Sequence, residues 1–599
     1  MAHHELQRAS LLVPIFLCFL LLVLPSLSTT IAGATTGLGP GARQRPIRQE
    51  ISVFSESGPV WDLYIQALKR FQDAPTDDKF SYYQIAGIHG YPQVAWDDVY
   101  GNPNGGTGYC MHNSVLFELW HRPYLALFEQ TLSEHARAIA SAYPADVRPK
   151  YISAAESLRI PYWDWGQTFR LPDAVTKLSL VVNSPEGLQC ISNPLRRYDF
   201  QIDVEEIVTY DYGFLNKLNH TARHYDPIVG SQEEAASARL LVSSAGRLSN
   251  LYQLITSTSN WTEFAPHLIG NEQNPKTNLE RLHGGVHNDV GGIGGSTVAL
   301  GHMTVIPLSA FDPIFWLHHA NVDRITAIWQ VLHPDDYVQP VLDHDGTYYQ
   351  EPAQLDHLQT SLAPFHSDGS TEMWTAATVR DTAIFGYTYP ELIDWNVSAS
   401  DLVTSVRQKV NELYNPDIQP TKNRTTLRNY PRNANLAKAM SNVHGDIALQ
   451  LGVNNLNVQW YLRLVVVGLA VEQGVSVYLF VAKAPTDCSL WSSANTLVGA
   501  FSPFGSRRPT TMHQVDIPCT HIIAAAVDRG VLPGIRSDAV VPFLSRNLVV
   551  KAMRADGTEF SAVPSSGVKL WIVSRPVQPR KSLSEFPLYG DFKLEMQLI

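Results

Sequence analysis

Cysteine is scarce in this chain, five among 599 residues. That excludes a disulfide-built scaffold. Charge is thin too: 17% of residues, with a net charge of -11 and no basic surplus, which argues against nucleic acid as a partner. No internal repeat stands out. Long apolar runs are missing except for Leu11–Leu24, which is too short to span a bilayer comfortably, so no stable membrane span is expected.

Hydrophobic residues make up 45% of the chain, which marks it as globular. Its length exceeds one ordinary domain, so two domains are expected. The run Leu11–Leu24 follows Arg8 and precedes the small residues of SLSTTIAGA. This pattern predicts a secretory signal peptide over residues 1–34, cut between Ser28 and Ala34; an uncleaved signal anchor is the alternative. The basic stretch Arg43–Arg48 offers a second processing point. Sequons at Asn219, Asn260, Asn396 and Asn423 fit a secreted, extracellular glycoprotein. Cys18 leaves with the leader, and Cys488 with Cys519 is a pairing the sequence leaves open.

From about residue 48 to 390, apolar residues recur every three or four positions, as in WDLYIQALKRFQ and VDRITAIWQVLH. This predicts a mainly helical first domain. Residues 391–453 have few apolar runs and are expected to be a linker with a short helix or two. Beyond it, at 454–599, come short β-branched runs such as WYLRLVVVGLAV and VKLWIVSR, which predict an antiparallel β-sandwich.

Six histidines carry the chemistry. His89, His112 and His121 lie in IAGIHG and YCMHNSVLFELWHRPY; His283, His287 and His319 lie in ERLHGGVHNDVGG and FDPIFWLHHANVDR. A lone histidine is more often an ordinary core residue than a ligand. Two sets of three neutral imidazoles, however, form two borderline nitrogen sites, which suit copper without excluding zinc, nickel or iron. Pro123 suggests that His121 opens a helix, and His112 lies on a stretch that could be helical too. His283 and His287, four apart, share a helix face. Asp312 and Asp323 are candidates to accept hydrogen bonds from ring nitrogens. Glu280, one turn before His283, is either a base for a substrate proton or an acid favoured at a helix start. Cys110, two residues before His112, is open between ligand, bystander and covalent partner of that ring.

Together IHG, CMHNSVLF, WHRPYLALFEQ, IPYWDWG, HGGVHND and DPIFWLHHANVDR resemble the tyrosinase family of binuclear copper proteins, the fungal members in particular. The resemblance implies a helical catalytic domain over 48–390 built on a four-helix bundle, and a C-terminal β-rich domain shielding it. It implies two copper ions, the first on His89, His112 and His121, the second on His283, His287 and His319, with His318 behind. It also implies a Cys110–His112 thioether, Phe315 packed over the second set, and Glu280 holding a water near the substrate. Tyr387-Thr388-Tyr389 is similar to the Tyr-x-Tyr that closes the catalytic domain.

The implied activity is oxidation of small phenols by dioxygen. It comprises o-hydroxylation of monophenols and oxidation of o-diphenols to o-quinones, as in melanin formation, from a proenzyme held latent by its C-terminal domain. Phe501 or Phe504 of that domain is the candidate to fill the pocket. The chain also departs from the family. Gly284, where several members have asparagine, follows the first histidine of the second set, and Asn288 follows the next. This keeps a catechol oxidase, or an o-aminophenol oxidase, as the alternative. Glu118 stands where fungal relatives often have a small or apolar residue, and the Cys-x-x-Cys of some members is absent. An oxygen carrier and a metal-free structural protein are the readings from other classes. A homo-oligomer is compatible with the sequence.

Overall fold

The computed structural model describes residues 28–39, 43–102, 108–208, 213–266, 277–292, 301–416, 458–472, 475–494, 496–503, 512–554 and 558–599. The apolar run Leu11–Leu24, Asn423 and Phe504 lie outside them. Among the described residues no helix is long and apolar enough to cross a membrane.

Among the described residues, seven helices of ten or more residues build the first domain: α1 (Pro59–Gln72), α2 (Phe117–Ala142), α3 (Arg148–Ser157), α4 (Glu233–Ser257), α5 (Leu279–Gly291), α6 (Ile314–Leu332) and α7 (Ala399–Tyr414). α2 lies at the centre, with α1, α3 and α6 packed on it, while α4 covers α5. α6 and the Phe117–Ser133 part of α2 are buried nearly all round, which is why their sequences are apolar beyond a single stripe. α2 starts one turn before the expected position. Val115, Leu116 and Phe117 are fully buried, and that burial extends the helix upstream, leaving Pro123 inside it at the loss of one backbone bond.

Two segments join this core that the sequence placed outside it. Ile31 is fully buried; its N–H donates to the His366 carbonyl at 3.0 Å, and the Ile31 carbonyl accepts from Trp374 Nε1 at 3.0 Å. Arg159 Nη2 donates to Ala34 O and Thr36 O at 2.6 and 2.7 Å. A cut at the start of the Ser28–Ala34 window keeps this segment, whereas one at its end removes Ile31 from the core. In the basic stretch Arg45 and Arg48 are buried, while Arg43 and Gln44 are exposed. In the stretch expected to be linker, α7 packs on α6, burying Val406, Val410 and Tyr414 in the same core.

The C-terminal domain has strands β1 (Val458–Val466), β2 (Ser476–Val481), β3 (Leu497–Phe501), β4 (His513–Pro518), β5 (Leu548–Met553), β6 (Glu559–Phe560), β7 (Val568–Gln578), β8 (Leu588–Tyr589) and β9 (Lys593–Gln597). They form two antiparallel sheets, one in the order β4–β1–β7–β8 with β9 also on β7, the other β6–β5–β2–β3. Period-2 alternation along β1 sends Trp460, Leu462, Leu464 and Val466 into the core between the sheets. It turns Tyr461 and Arg463 to the opposite face, where Tyr461 Oη donates to Gln253 of α4 at 2.9 Å. Cys488 and Cys519 are both free and belong to different apolar clusters, so the pairing left open by the sequence is not made.

Candidate metal centre

Three helices and two loops deliver the six histidines. His121 comes from α2, His283 and His287 from α5, His319 from α6. His89 and His112 sit on irregular backbone, so the helix considered for His112 does not form. In the first set the ring centroids form a triangle of 5.6, 5.6 and 6.1 Å. In the second the separations are 4.4, 4.8 and 5.6 Å. The sets adjoin: the His121 and His319 rings stack at 4.3 Å, and His112 lies 6.1 Å from His283.

The tautomers follow from the hydrogen bonds. Nδ1 of His89 donates to Ile306 O, of His121 to Phe117 O, of His283 to Glu280 O and of His287 to Met303 O, at 2.6–3.1 Å. Each Nε2 then carries a lone pair directed inward. His89 Nε2 is buried without a partner. His319 Nε2 faces His283 Nε2 at 3.2 Å and His287 Nε2 at 3.3 Å, and its own Nδ1 meets no acceptor, so the three Nε2 atoms converge where one cation could lie among them. Burial holds all six histidines below their ordinary pKa, His112 at about 4 and His287 at about 3. Neighbouring imidazoles lower His89, His121, His283 and His319 further. All six are therefore neutral near pH 7 and able to bind a metal.

Asp312 and Asp323 do not orient these rings. Asp312 is paired with Arg223, and Asp323 with Arg122 and Arg48. Buried carboxylates go to buried guanidiniums, and main-chain carbonyls one turn back or in an adjoining loop are nearer to the rings. The loop residue His89 needs its neighbour to be glycine. A Cβ on Gly90 would lie 2.2 Å from Pro307 Cα, beside the Ile306 carbonyl that His89 uses. Gly90→Ala is expected to push the 306–307 segment away, at about 1–3 kcal/mol of overpacking, and to empty the first set. Metal per chain measured on the purified variant checks this; full loading would mean that the segment yields without cost.

His318 also belongs with His283, His287 and His319 in a group whose ligand atoms lie within 4.8 Å of one another. Its ring lies flat against His283, 8° from parallel at 5.1 Å, a poor approach for a second ligand to a shared ion. At the first set the corresponding group is His89, Cys110 and His112. The Cys110 sulfur is 3.2 Å from His112 Nδ1 and 3.8 Å from Nε2, facing the ring edge between them, and 3.4 Å from His121 Nε2. Burial, and then Glu280, push the Cys110 thiol up, so it is protonated.

Phe315 touches both sets, at 4.1 Å from His319 and 4.9 Å from His89. Phe117 does the same from the other side, at 4.8 Å from His121 and 4.7 Å from His283. Sequence reasoning missed Phe117; its place four residues before His121 was the available signal. Glu280 stands in the first turn of α5 and also lines the pocket above His112; its Oε1 accepts the Asn113 N–H at 2.8 Å. Neither carboxylate oxygen of Glu118 has a partner, and burial, followed by Glu280, raises its pKa well above the usual range. A neutral acid is thus buried beside the site.

The C-terminal domain closes this site. A cavity of about 140 Å³ lies between α4, α5 and strands β3 and β4. Phe501 and Ser502 line it, and Asn288 Nδ2 donates to the Ser502 carbonyl at 3.1 Å. Asn250 Nδ2 donates to Asp516 O at 3.2 Å, and Asn411 Nδ2 to Leu583 O and Glu585 O at 2.6 and 2.9 Å.

Comparison with known proteins follows the same division. A family model for the common central domain of tyrosinase matches residues 79–332, and one for the tyrosinase C-terminal domain matches 459–571. A tyrosinase of Podospora anserina is 34% identical, covering 65% of this chain and 69% of that protein. Polyphenol oxidase 4 of Agaricus bisporus is 33% identical over 62% of this chain and 59% of its own length. A solved structure of recombinant mushroom tyrosinase superposes with a TM-score of 0.77 at 23% identity, covering 94% of this chain and 97% of that one, a likeness of fold.

Proposed function

From the premise that the chain belongs to the tyrosinase family, we propose that it oxidises o-diphenols to o-quinones and hydroxylates monophenols at one site, held latent by its C-terminal domain. The cofactor is a pair of copper ions. We assign His89, His112 and His121 to one and His283, His287 and His319 to the other. One observation carries the reading: six neutral imidazoles in two adjoining sets, five buried and His112 half-buried, four of them held by main-chain carbonyls with Nε2 left as the ligand atom, and His112 lining a covered pocket.

Bound copper supplies electron transfer between phenol and dioxygen. Each o-diphenol gives up two electrons and two protons to become the quinone, and dioxygen accepts four of each to become two waters. The protein's part is geometric. Phe117 and Phe315 hold the imidazoles from both sides, and main-chain carbonyls fix the tautomers of His89, His121, His283 and His287. Glu280 is placed to take the phenolic proton, and Asn113 N–H steadies its carboxylate. Cys110 faces the ring edge of His112 where a thioether would form, which would tie that loop ligand covalently.

A second reading is an o-diphenol oxidase without monophenol hydroxylation. Gly284 supports it, offering no side chain beside His283, as does Asn288, whose amide is engaged by Ser502. Rates on tyrosine and on a catechol, with any lag recorded, separate the two.

Latency follows from the cover. The two domains share a chain, so their effective local concentration is high. Cutting the 417–457 stretch and separating the parts is expected to raise catechol oxidation at least about tenfold, as for a site less than about one-tenth open before release. Unchanged activity after verified separation would remove the C-terminal domain as an inhibitor.

A further inference from the structure

The covered pocket is lined by three arginines, Arg239, Arg247 and Arg281, against two carboxylates, Glu280 and Asp289. Asp289 is held from two sides at 3.0 Å, by Arg239 Nε and by Arg247 Nη1. Arg247 is consumed by structure: its remaining N–H groups go to Trp165 O, Leu240 O and Ser243 Oγ. Arg239 differs. Its side chain is 5% exposed, yet Nη1 is buried and meets no acceptor. The Tyr478 ring of the C-terminal domain lies 6.0 Å from its guanidinium carbon. Arg281, two residues before His283, lines the same space and lies within the field of Asp516 from that domain.

Removal of the C-terminal domain strips away both Tyr478 and Asp516. What remains is a pocket with a surplus of positive charge, an unmet N–H and the metal site at its floor. Such a wall attracts an anion, and more strongly in a pocket than in open water. We propose that Arg239 and Arg281 bind the carboxylate of phenols bearing an acid group on a short side chain, and so set substrate preference. This rests on the phenol-oxidase reading and names its substrate class. Neither arginine touches the reacting oxygens; both position the ring.

The test uses copper-loaded protein cleaved in the 417–457 stretch. Two probes that cannot be oxidised, 3-phenylpropionate and its uncharged amide, are titrated by calorimetry. Alongside, kcat and KM are measured for 3,4-dihydroxyphenylpropionate and its methyl ester. The acid is expected to bind about tenfold or more tightly than the amide, with the advantage shrinking as salt rises. Among substrates the acid's advantage should appear in KM. Arg239→Gln and Arg281→Gln should each lower the acid-to-neutral ratio within the same variant; if one fails to fold, the other carries the comparison. Equal binding of acid and amide, or a ratio unchanged in a folded variant, would overturn the proposal. Acid binding by a protein that oxidises no phenol would keep the anion site and remove the phenol-oxidase reading.

Discussion

Replacing His319 with alanine is expected to leave one copper per chain and to abolish catechol oxidation. His319 occupies the junction of the two sets. Its Nε2 is 3.2 Å from that of His283 and 3.3 Å from that of His287, while its ring stacks on His121 at 4.3 Å and on Phe315 at 4.1 Å. Without it the second set keeps two donors. His318 is adjacent, but its ring parallels His283 at 5.1 Å and cannot turn an edge to the ion without leaving that stack. The loss should far exceed the ~10–100-fold that removing a ligand's outer hydrogen-bond partner costs. Copper per chain, read by elemental analysis beside a circular dichroism spectrum, decides it. Two coppers and full activity in His319→Ala would remove it from the ligand set, and His318→Ala should retain both ions.

The largest effect on stability is expected at Asp323, four residues further along α6. Arg122 Nε donates to Oδ1 at 2.6 Å, and Tyr387 Oη and Tyr389 Oη each donate to Oδ2 at 2.6 Å. Arg48 reaches the same oxygen at 3.3 Å and lies 3.5 Å over the Tyr387 ring. The carboxylate thus ties the N-terminal segment, α2, α6 and the closing Tyr-x-Tyr together. Asp323→Ala would leave Arg122 and Arg48 buried with one partner fewer, at about 3–5 kcal/mol. At roughly 2–4 °C per kcal/mol for a domain of this class, the melting temperature should fall by about 10 °C. A drop of under ~2 °C would mean that solvent rearranges to replace the carboxylate. Burial alone would raise the pKa of Asp323, but the two arginines and two tyrosines outweigh it and hold it below 3.8. Its contribution is therefore complete above the unfolded-state pKa and is lost only as pH falls through the lower folded value. A melting series across the acid range in wild type and Asp323→Ala should show the two curves converging there.

How much of this could be read along the chain varies by residue. The six histidines could, because their neighbours are chemically restricted: Gly90 by its contact with Pro307, the four-residue step from His283 to His287 by the helix, Phe315 by the imidazoles it covers. The helical and β-rich regions were visible from periodicity. The roles of Asp312 and Asp323 were not, since a buried aspartate looks the same whether it meets an imidazole or an arginine from 89 or 201 residues away. Phe117 was equally hidden, as one aromatic among many. α7 read as linker because its few apolar residues, Val406, Val410 and Tyr414, suffice for one buried face.

Local chemistry travels with the chain: ligand types, spacing within a helix and alternation within a strand are properties of neighbours, so the residue order alone determined the metal chemistry and the two-part architecture. Partner choice across hundreds of residues does not travel this way. Which carbonyl fixes each imidazole, where Ile31 is buried, and that Ser502 covers Asn288 were decided only when the chain packed, because burial makes each polar group take a partner and only the tertiary fold determines which one is within reach.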